Sequence, residues 1–353
     1  MLILAINPGS TSTKIAVYDN DKPLLVKSIA HSPEDLSQFA EIAHQKDFRR
    51  QLVLDTLREA RIEPRFDAVI GRGSLAKPVE GGVYIVNRRM VDDALNAPDQ
   101  QACDLGCVIA RDIANLNPGT PCFTADPGSV DELNDWVRIS GSPLLPNKCI
   151  WHALNQRAIA RRYAKSIGKR YSELNLIICH LGGGISVAAH DHGRAVDANN
   201  ALNGDGPFSP ERAGTLPAGE LINLCFSGKL TQQELLKRIA GTAGMSAHLG
   251  TNDMRVALQR VADGDKHAQL IVEAMIYHTA KAIAAQGAVL CGKVDAILIT
   301  GGMAHSDYIV SRLQQRIDWI APVHCFPGED EMQALALNAL ATLNGEITAK
   351  QYS

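Results

Sequence analysis

The residues of this chain best suited to chemistry on anions are two arginines, one aspartate and two glycine-bearing turns. Arg72 stands between Gly71 and Gly73, directly after the strand-like Ala68-Val69-Ile70. Ligands of α/β folds gather at the carboxyl ends of strands, and flanking glycines clear space for them. A guanidinium fork matches a carboxylate or a phosphate through two parallel hydrogen bonds. Asp126 follows the strand-like Phe123-Thr124 ahead of Pro127-Gly128, where a turn former and a functional acid are both consistent readings. Arg212 is the only cation of Asp197–Gly219, a stretch rich in Gly, Asn and Pro that fits no periodic element. Loops of that length inside a compact protein are uncommon and usually functional. Its neighbour Glu211 keeps a plain surface ion pair open as the alternative.

Asn7-Pro8-Gly9-Ser10-Thr11-Ser12-Thr13 offers backbone N–H groups and four hydroxyls in a tight turn, and Leu181-Gly182-Gly183-Gly184-Ile185-Ser186 offers three glycines. Such turns can cradle phosphate oxygens, because glycine lets the backbone approach an anion. Neither is a Gly-Lys-Ser/Thr phosphate loop or a Gly-x-Gly-x-x-Gly fingerprint, so each singly also fits an ordinary hairpin turn. Gly301-Gly302-Met303 repeats the strand-to-glycine junction after Ile297–Thr300. Asn252-Asp253-Met254-Arg255 opens a helix, where Asn252 or Asp253 can serve as N-cap. Gly328-Glu329-Asp330-Glu331 sets three acids at a helix start, which suits the helix dipole and equally a hydrated Mg²⁺. His190 and His192 flank Asp191 in what reads as a solvated turn, and His278 reads as a core histidine on an apolar stripe.

Strand-like and helix-like segments alternate along the chain, the mark of an α/β protein. Leu2–Ile6 and Lys14–Tyr18 frame the first turn as a hairpin. Asp67–Ile70, Pro121–Thr124, Leu174–Cys179 and Val294–Thr300 are short buried-strand candidates. Helical spacing predicts helices over Asp47–Ile62, Ile150–Ile167 and Lys266–Cys291, the last with a stripe of Ile271, Met275, His278, Ala282, Ala285 and Val289. A C-terminal helix carries Met332, Leu335, Ala336, Ala339, Leu340 and Leu343 on one face. Residues 2–19 and 176–191 share a strand–turn–strand layout roughly half a chain apart, which suggests two domains of related topology.

With 353 residues and a formal charge of −3, the chain is long enough for two domains and carries no basic block for binding nucleic acid. Arg49-Arg50 and Arg161-Arg162 are its densest basic spots and read as solvated helix faces. The eight cysteines form no Cys-x-x-Cys pair, so a disulfide framework or zinc site is not expected, and reduced, mostly buried thiols of a cytoplasmic protein are. The N-terminus lacks the basic start of a signal peptide, and no apolar run approaches the ~20 residues of a membrane span.

Taken together these segments resemble the acetate kinase family, and within it the butyrate kinase branch, over nearly the whole chain. The resemblance rests on INPGSTSTKIAVY, GRGSLAKPVEGGVY, IWHALNQRAIARR, HLGGGISVAAH, NNALNGDGPFSPERAGTLP, LGTNDMR, VDAILITGGMAHS and IAPVHCFPGEDEMQALA, all in order. It implies an α/β fold of two duplicated ribonuclease H-like (actin-like ATPase) domains of βββαβαβα topology, with the nucleotide in the interdomain cleft. Residues 1–148, joined by a C-terminal helix over about 330–353, would form the first domain, and 149–329 the nucleotide-binding second. It implies ATP/ADP and Mg²⁺ as cofactors, a short-chain fatty acid as substrate, and a homo-oligomer. Residue by residue, Asn7 resembles the group near the transferred phosphoryl, and Arg72 and Arg212 the pair that holds substrate carboxylate and γ-phosphate. Asp126 resembles the acid that organises Mg²⁺ and the reacting groups. His180 resembles the histidine near the phosphoryl group, with His152 in support. Gly182, Gly183 and Gly184 would meet the distal phosphates, Asp253 and Arg255 the nucleoside, and Gly301, Gly302 and Met303 the adenosine. Glu331, with Glu329 as the alternative, matches the metal-linked glutamate. Ala102-Cys103-Asp104-Leu105-Gly106 stands where the acetate branch carries a histidine, which favours a roomier acyl pocket. An ATPase-type binding protein of the same fold group would need a peptide-binding segment for which this chain has no length to spare.

Overall fold

The computed structural model describes residues 1–73, 77–97 and 100–353. Ser74-Leu75-Ala76, part of the Gly71–Tyr84 motif, therefore lies outside the described residues. The chain forms two compact units, one of Met1–Asp131 with Asp330–Ser353 and one of Glu132–Glu329. The break falls at Asp131/Glu132 instead of 148/149. Segment 132–148 goes with the second unit because the Asn134 N–H donates to Val196 O at 3.0 Å, and Glu132 pairs with Arg157 at 3.1 Å.

In the first unit, β1 (Leu2–Pro8) pairs antiparallel with β2 (Ser12–Asp19), and β2 with β3 (Lys22–Ala30). Strand β4 (Ala68–Gly71) joins β1 in parallel; β5 (Val83–Ile85) lies antiparallel on β6 (Cys122–Ala125), which is parallel to β4. The second unit repeats the plan. Strands β7 (Asn175–Leu181), β8 (Ile185–Asp191) and β9 (Arg194–Ala198) form an antiparallel meander, and β10 (Ala296–Gly301) and β11 (Val323–Pro327) add in parallel beside β7. The order β3-β2-β1-β4-β6 is thus reproduced as β9-β8-β7-β10-β11, the duplication that the two echoing hairpins announced. A short β12 (Lys350–Gln351) closes the first sheet against β5.

Central strands are covered on both faces, so they read as unbroken apolar runs. In β7, Ile177, Cys179 and Leu181 pack into the core that holds helix Lys266–Val289, while Leu176 and Ile178 pack against Ile159 and Tyr163 of helix Ala153–Ser166. The same alternation in β1 sends Leu4 and Ile6 toward helices Lys46–Glu59 and Leu105–Ala114. Its other face meets the C-terminal helix Glu331–Leu343. This two-sided burial is what aims the polar residues near the strand ends at the helix starts.

Several surface expectations are corrected. Arg49 is fully buried, not part of a solvated face. His190 is buried within β8. His278 is exposed, because the buried face of its helix is centred on Val272, Ile276, Thr279 and Ile283. All eight cysteines are free thiols, but Cys225, Cys291 and Cys325 are exposed. Among the described residues no helix is long and apolar enough to cross a membrane.

Candidate active site

In the first unit the strand alternation places Asn7 on the β1 face that meets the C-terminal helix. Its Nδ2 donates to Glu331 Oε2 at 2.6 Å. The other carboxylate oxygen of Glu331 forms an ion pair with Arg72, both side chains being largely buried. Arg72 reaches this position because its N–H continues the ladder to Ile6 O at 2.8 Å, and because Gly71 lets the chain pass closely under helix Leu105–Ala114. A Cβ on Gly71 would collide with the Gly106 carbonyl. Cys103, in the segment that departs from the acetate branch, lies within electrostatic reach of Arg72 and Glu331.

Asp126 sits at the carboxyl end of β6, beside β4, with no exposed surface. Its backbone is left-handed (φ 40°), a costly conformation that Asp and Asn tolerate better than most residues. Gly82 holds it there: Asp126 N–H donates to Gly82 O at 2.9 Å, and Gly82 N–H donates to Asp126 Oδ1 at 2.8 Å. Backbone strain held by paired hydrogen bonds at a strand end is of the kind that clusters at functional sites, which makes Asp126 a candidate.

In the second unit His180 shares the β7 face of Leu176 and Ile178, opposite the start of helix Ala153–Ser166. Its Nδ1 meets Asn155 Oδ1 at 2.8 Å, so Nδ1 carries a proton. Its Nε2 lies 3.1 Å from Glu329 Oε1. His152 stacks on it, ring centroids 3.7 Å apart at 10°. Ser186 Oγ accepts from Gln156 Nε2 at 2.9 Å and lies 2.9 Å from His152 Nδ1. Gln156 Nε2 also faces the Ser186 carbonyl at 3.1 Å, so its Oε1 must accept from His190 Nε2 at 3.0 Å, while Tyr171 OH donates to His190 Nδ1 at 2.5 Å.

Burial, followed by the charge of Arg157, holds His190 down to about 3. The unfolded chain then binds the extra proton first. Stability is full above the ordinary histidine range near 6.5 and is lost as pH falls from there toward 3, with a slope of at most about 1.4 kcal/mol per pH unit. The denaturant midpoint is expected to drop between pH 7.5 and 4.5, and His190→Gln is expected to flatten that drop while lowering the neutral-pH value. Equal drops in parent and variant would remove His190 as the cause.

The turn Gly182–Gly184 is built around these groups. A Cβ on Gly182 would stand 2.8 Å from His180 Nε2, and one on Gly184 would run into the Arg212 guanidinium. The Asn199–Pro217 loop is irregular yet pinned. Ser209 Oγ donates to Gly183 O at 2.6 Å, the Glu211 N–H to the same carbonyl at 3.2 Å, and Arg212 Nη1 to Ala201 O at 2.6 Å. Glu211 does not pair with Arg212; it accepts from Asn252 Nδ2 at 2.8 Å.

Gly182, Gly183, Asp253, Arg255, Gly302 and Met303 line one pocket of about 680 Å³, floored by Met254, Leu258 and Pro210 and edged by Glu329. Its size and its apolar floor with a few polar groups suit a nucleoside. Asp253 is the N-cap of helix Met254–Ala262, and hydrogen bonds from Arg255 hold its carboxyl down to about 2. Gly301 lies beneath, in a left-handed backbone (φ 94°) so close to Leu181 that no side chain fits. The two candidate glutamates separate: Glu331 belongs with Asn7 and Arg72, Glu329 with His180.

Sequence reasoning gives no site role to Asn155, and it reads Arg49 as a solvated charge, Glu211 as an ion-pair partner of Arg212 and Asn252 as a possible N-cap. Arg49 was detectable, since Arg49, Val53 and Thr56 follow helical spacing and are all buried. No local signal marks Asn155, and none links Glu211 to Asn252.

The sequence signature of the acetokinase family matches residues 148–319. A protein of Bacteroides thetaiotaomicron named as a probable butyrate kinase is 60% identical over 352 residues, spanning 100% of both chains. Butyrate kinase 1 of Clostridium acetobutylicum is 46% identical over 352 residues, 99% of each. The crystal structure of Porphyromonas gingivalis acetate kinase has the same fold, with a TM-score of 0.78 at 18% identity over 97% of this chain and 99% of that one.

Proposed function

This chain belongs to the acetokinase family, and on that premise we propose that it reversibly transfers the γ-phosphoryl group of ATP to a short-chain fatty acid, with butyrate as the acid and butyryl phosphate and ADP as products. A fatty-acid carboxylate is ionised at pH 7, so no general base is required. The obstacle is the approach of one anion to another, and phosphoryl transfer relies on positioning and charge stabilisation to overcome it. Arg72 orients the acid so that a carboxylate oxygen attacks the γ-phosphorus in line as the bond to the β-phosphate bridging oxygen breaks. No phosphoenzyme forms. Arg212, His180 and the N–H groups of Gly182–Gly184 take up the charge on the phosphates, and His152, stacked on His180, supports it. The 680 Å³ pocket receives the nucleoside.

Among the described residues no three His, Cys, Asp or Glu side chains gather into a metal cage. Mg²⁺ needs no such cage, since it binds through one or two protein oxygens plus nucleotide phosphates. Glu331 and Asn7, with Asp126, are the residues that would hold it, and it would offset phosphate charge. Eight free thiols suit a reducing cytoplasm.

The observation that best supports this reading is Arg72, whose fork at the end of β4 is already engaged by a carboxylate, that of Glu331. The test is kinetics with ATP and Mg²⁺ against acetate, propionate, butyrate, isobutyrate, valerate and isovalerate, trapping the acyl phosphate as hydroxamate. A kcat/KM maximum at four or five carbons is expected, with neighbouring chain lengths about 10-fold apart or more. Activity confined to acetate would refute the butyrate assignment, and ATP hydrolysis without any acyl phosphate would refute the carboxylate kinase.

A further inference from the structure

Arg49 has no exposed surface, and every acceptor it meets is neutral. Its Nη1 donates to Gly9 O at 2.9 Å, Ser12 O at 3.2 Å and Thr13 Oγ1 at 3.1 Å; its Nη2 donates to Ser10 O at 3.5 Å and Gln45 Oε1 at 2.9 Å; its Nε donates to Gln45 Oε1 at 3.0 Å. Among the described residues no carboxylate forms an ion pair with it. Burial draws the guanidinium down only to about 10, so it remains a cation at neutral pH. Thr13 Oγ1, which accepts from Arg49, also lies 2.9 Å from His31 Nε2, a ring whose pKa is lowered by its burial and then by Arg49. A buried charge without a counter-charge costs several kcal/mol, whereas neutral donors could satisfy the same carbonyls. The charge itself therefore needs a purpose.

The carbonyls supply it. The peptide groups here are trans, so each N–H points opposite to the C=O of the preceding residue. With Gly9 O and Ser10 O drawn to the guanidinium, the N–H groups of Ser10 and Thr11 point away from it, on the side where both residues are exposed. The turn thus presents backbone donors outward and has a fixed cation behind it that water cannot screen. It begins at Asn7, which is already hydrogen-bonded into the Arg72–Glu331 cluster.

We infer that Arg49 is a positioning residue that prepares the Gly9–Ser12 turn as the seat of the phosphoryl group in transfer, fixing its donors and supplying from behind the charge that attracts the anion. This rests on the carboxylate kinase reading and assigns to it a residue that touches neither reactant.

Three variants separate charge from scaffolding: Arg49→Lys keeps the cation, Arg49→Gln keeps donors without charge, and Arg49→Met keeps neither. The readouts are kcat for acyl phosphate formation, the Kd of ADP, and the thermal midpoint. Lys is expected to stay within about 10-fold of the parent in kcat, and Gln and Met to fall about 100-fold or more, the scale of a lost oxyanion donor. The Kd of ADP, whose pocket contains no part of the turn, is expected to stay within about twofold. Lys and Gln should lose similar thermal stability, so that activity follows charge and not folding. Gln equal to Lys in kcat, or Met within about threefold of the parent, would overturn the inference. If Met does not fold, the Lys–Gln comparison decides alone. A parent that makes no acyl phosphate from any acid refutes the kinase reading instead, a result distinct from all of these.

Discussion

Arg72→Met is expected to lower kcat/KM for acyl phosphate formation by about 30- to 5,000-fold, the roughly 2–5 kcal/mol scale of a truncated charge pair. It should also destabilise the protein by about 3–5 kcal/mol, as breaking a buried ion pair does. The stability loss arises because Glu331 keeps only 11% of its side chain exposed and would retain a charge with Asn7 as its one remaining polar contact among those described above. The activity loss arises because methionine fills the volume but offers no fork to an incoming carboxylate. A second substitution separates the two. Glu331→Gln in the Arg72→Met background removes the stranded charge and leaves an amide that Asn7 can still engage, so most of the stability is expected to return. Activity is not, since neither the acid-binding fork nor the acidic oxygen has been restored. Chemical denaturation and hydroxamate kinetics on the four members of this double-mutant cycle measure both terms. A double variant that recovered activity along with stability would reduce Arg72 to the structural partner of Glu331.

How much of this was legible in the sequence depends on which physical signal each part left. Strands β1, β4, β6, β7 and β10 were read within a few residues because they are buried on both faces and therefore continuously apolar. Strands β3, β9 and β11 left weaker patterns: Leu24 and Val26 of β3 are exposed apolar residues on an edge strand, which mimics no simple alternation. Arg49 and His190 were misread for one reason, that charge or polarity was allowed to overrule period. Ser186, Ala188 and His190 occupy one face of β8 at period two, the face that meets Gln156, and the alternation was there to be followed. Helix Lys266–Val289 went wrong in the other direction. Its buried face is broad, and a narrow stripe drawn through Met275 and His278 was rotated off the true centre at Ile276 and Thr279.

The polar clusters were legible as residues and not as clusters. Asn7 and Glu331 are 324 positions apart, and no propensity or period links them. What links them is the duplicated topology: the first sheet takes its covering helix from the end of the chain, so the start of that helix must arrive at the strand end where Asn7 lies. Arg212 at Gly184 and Glu329 at His180 likewise follow from loops and strand ends brought together by the second sheet. The motif resemblance implies roles for most of these residues one by one; the strand faces supply the physical reason for their grouping.

Asp126→Asn is expected to cut kcat by about 10²–10³-fold, the scale of a missing electrostatic stabiliser at a reacting centre, while leaving the thermal midpoint nearly unchanged. The exchange isolates charge because both structural demands described above tolerate an amide. Asn accepts the left-handed backbone that φ 40° requires, and its Oδ1 can still receive the Gly82 N–H as the carboxylate does at 2.8 Å. Asp126→Ala fails on both counts. Alanine pays about 1–2 kcal/mol for the left-handed conformation, and the Gly82 N–H loses its acceptor at a further cost of about 1–3 kcal/mol. Its midpoint should therefore drop by several degrees while its kcat falls no further than that of Asn. If Asp126 also helps to hold Mg²⁺, the Asn variant will need more of it for half-maximal rate, since a neutral oxygen binds a hard cation less tightly than an anionic one. Kinetics at varied Mg²⁺, together with melting curves for the two variants, test each step. An Asn variant with the parent kcat would mean that the carboxylate's charge plays no part in the reaction, and the strain at Asp126 would then belong to the fold.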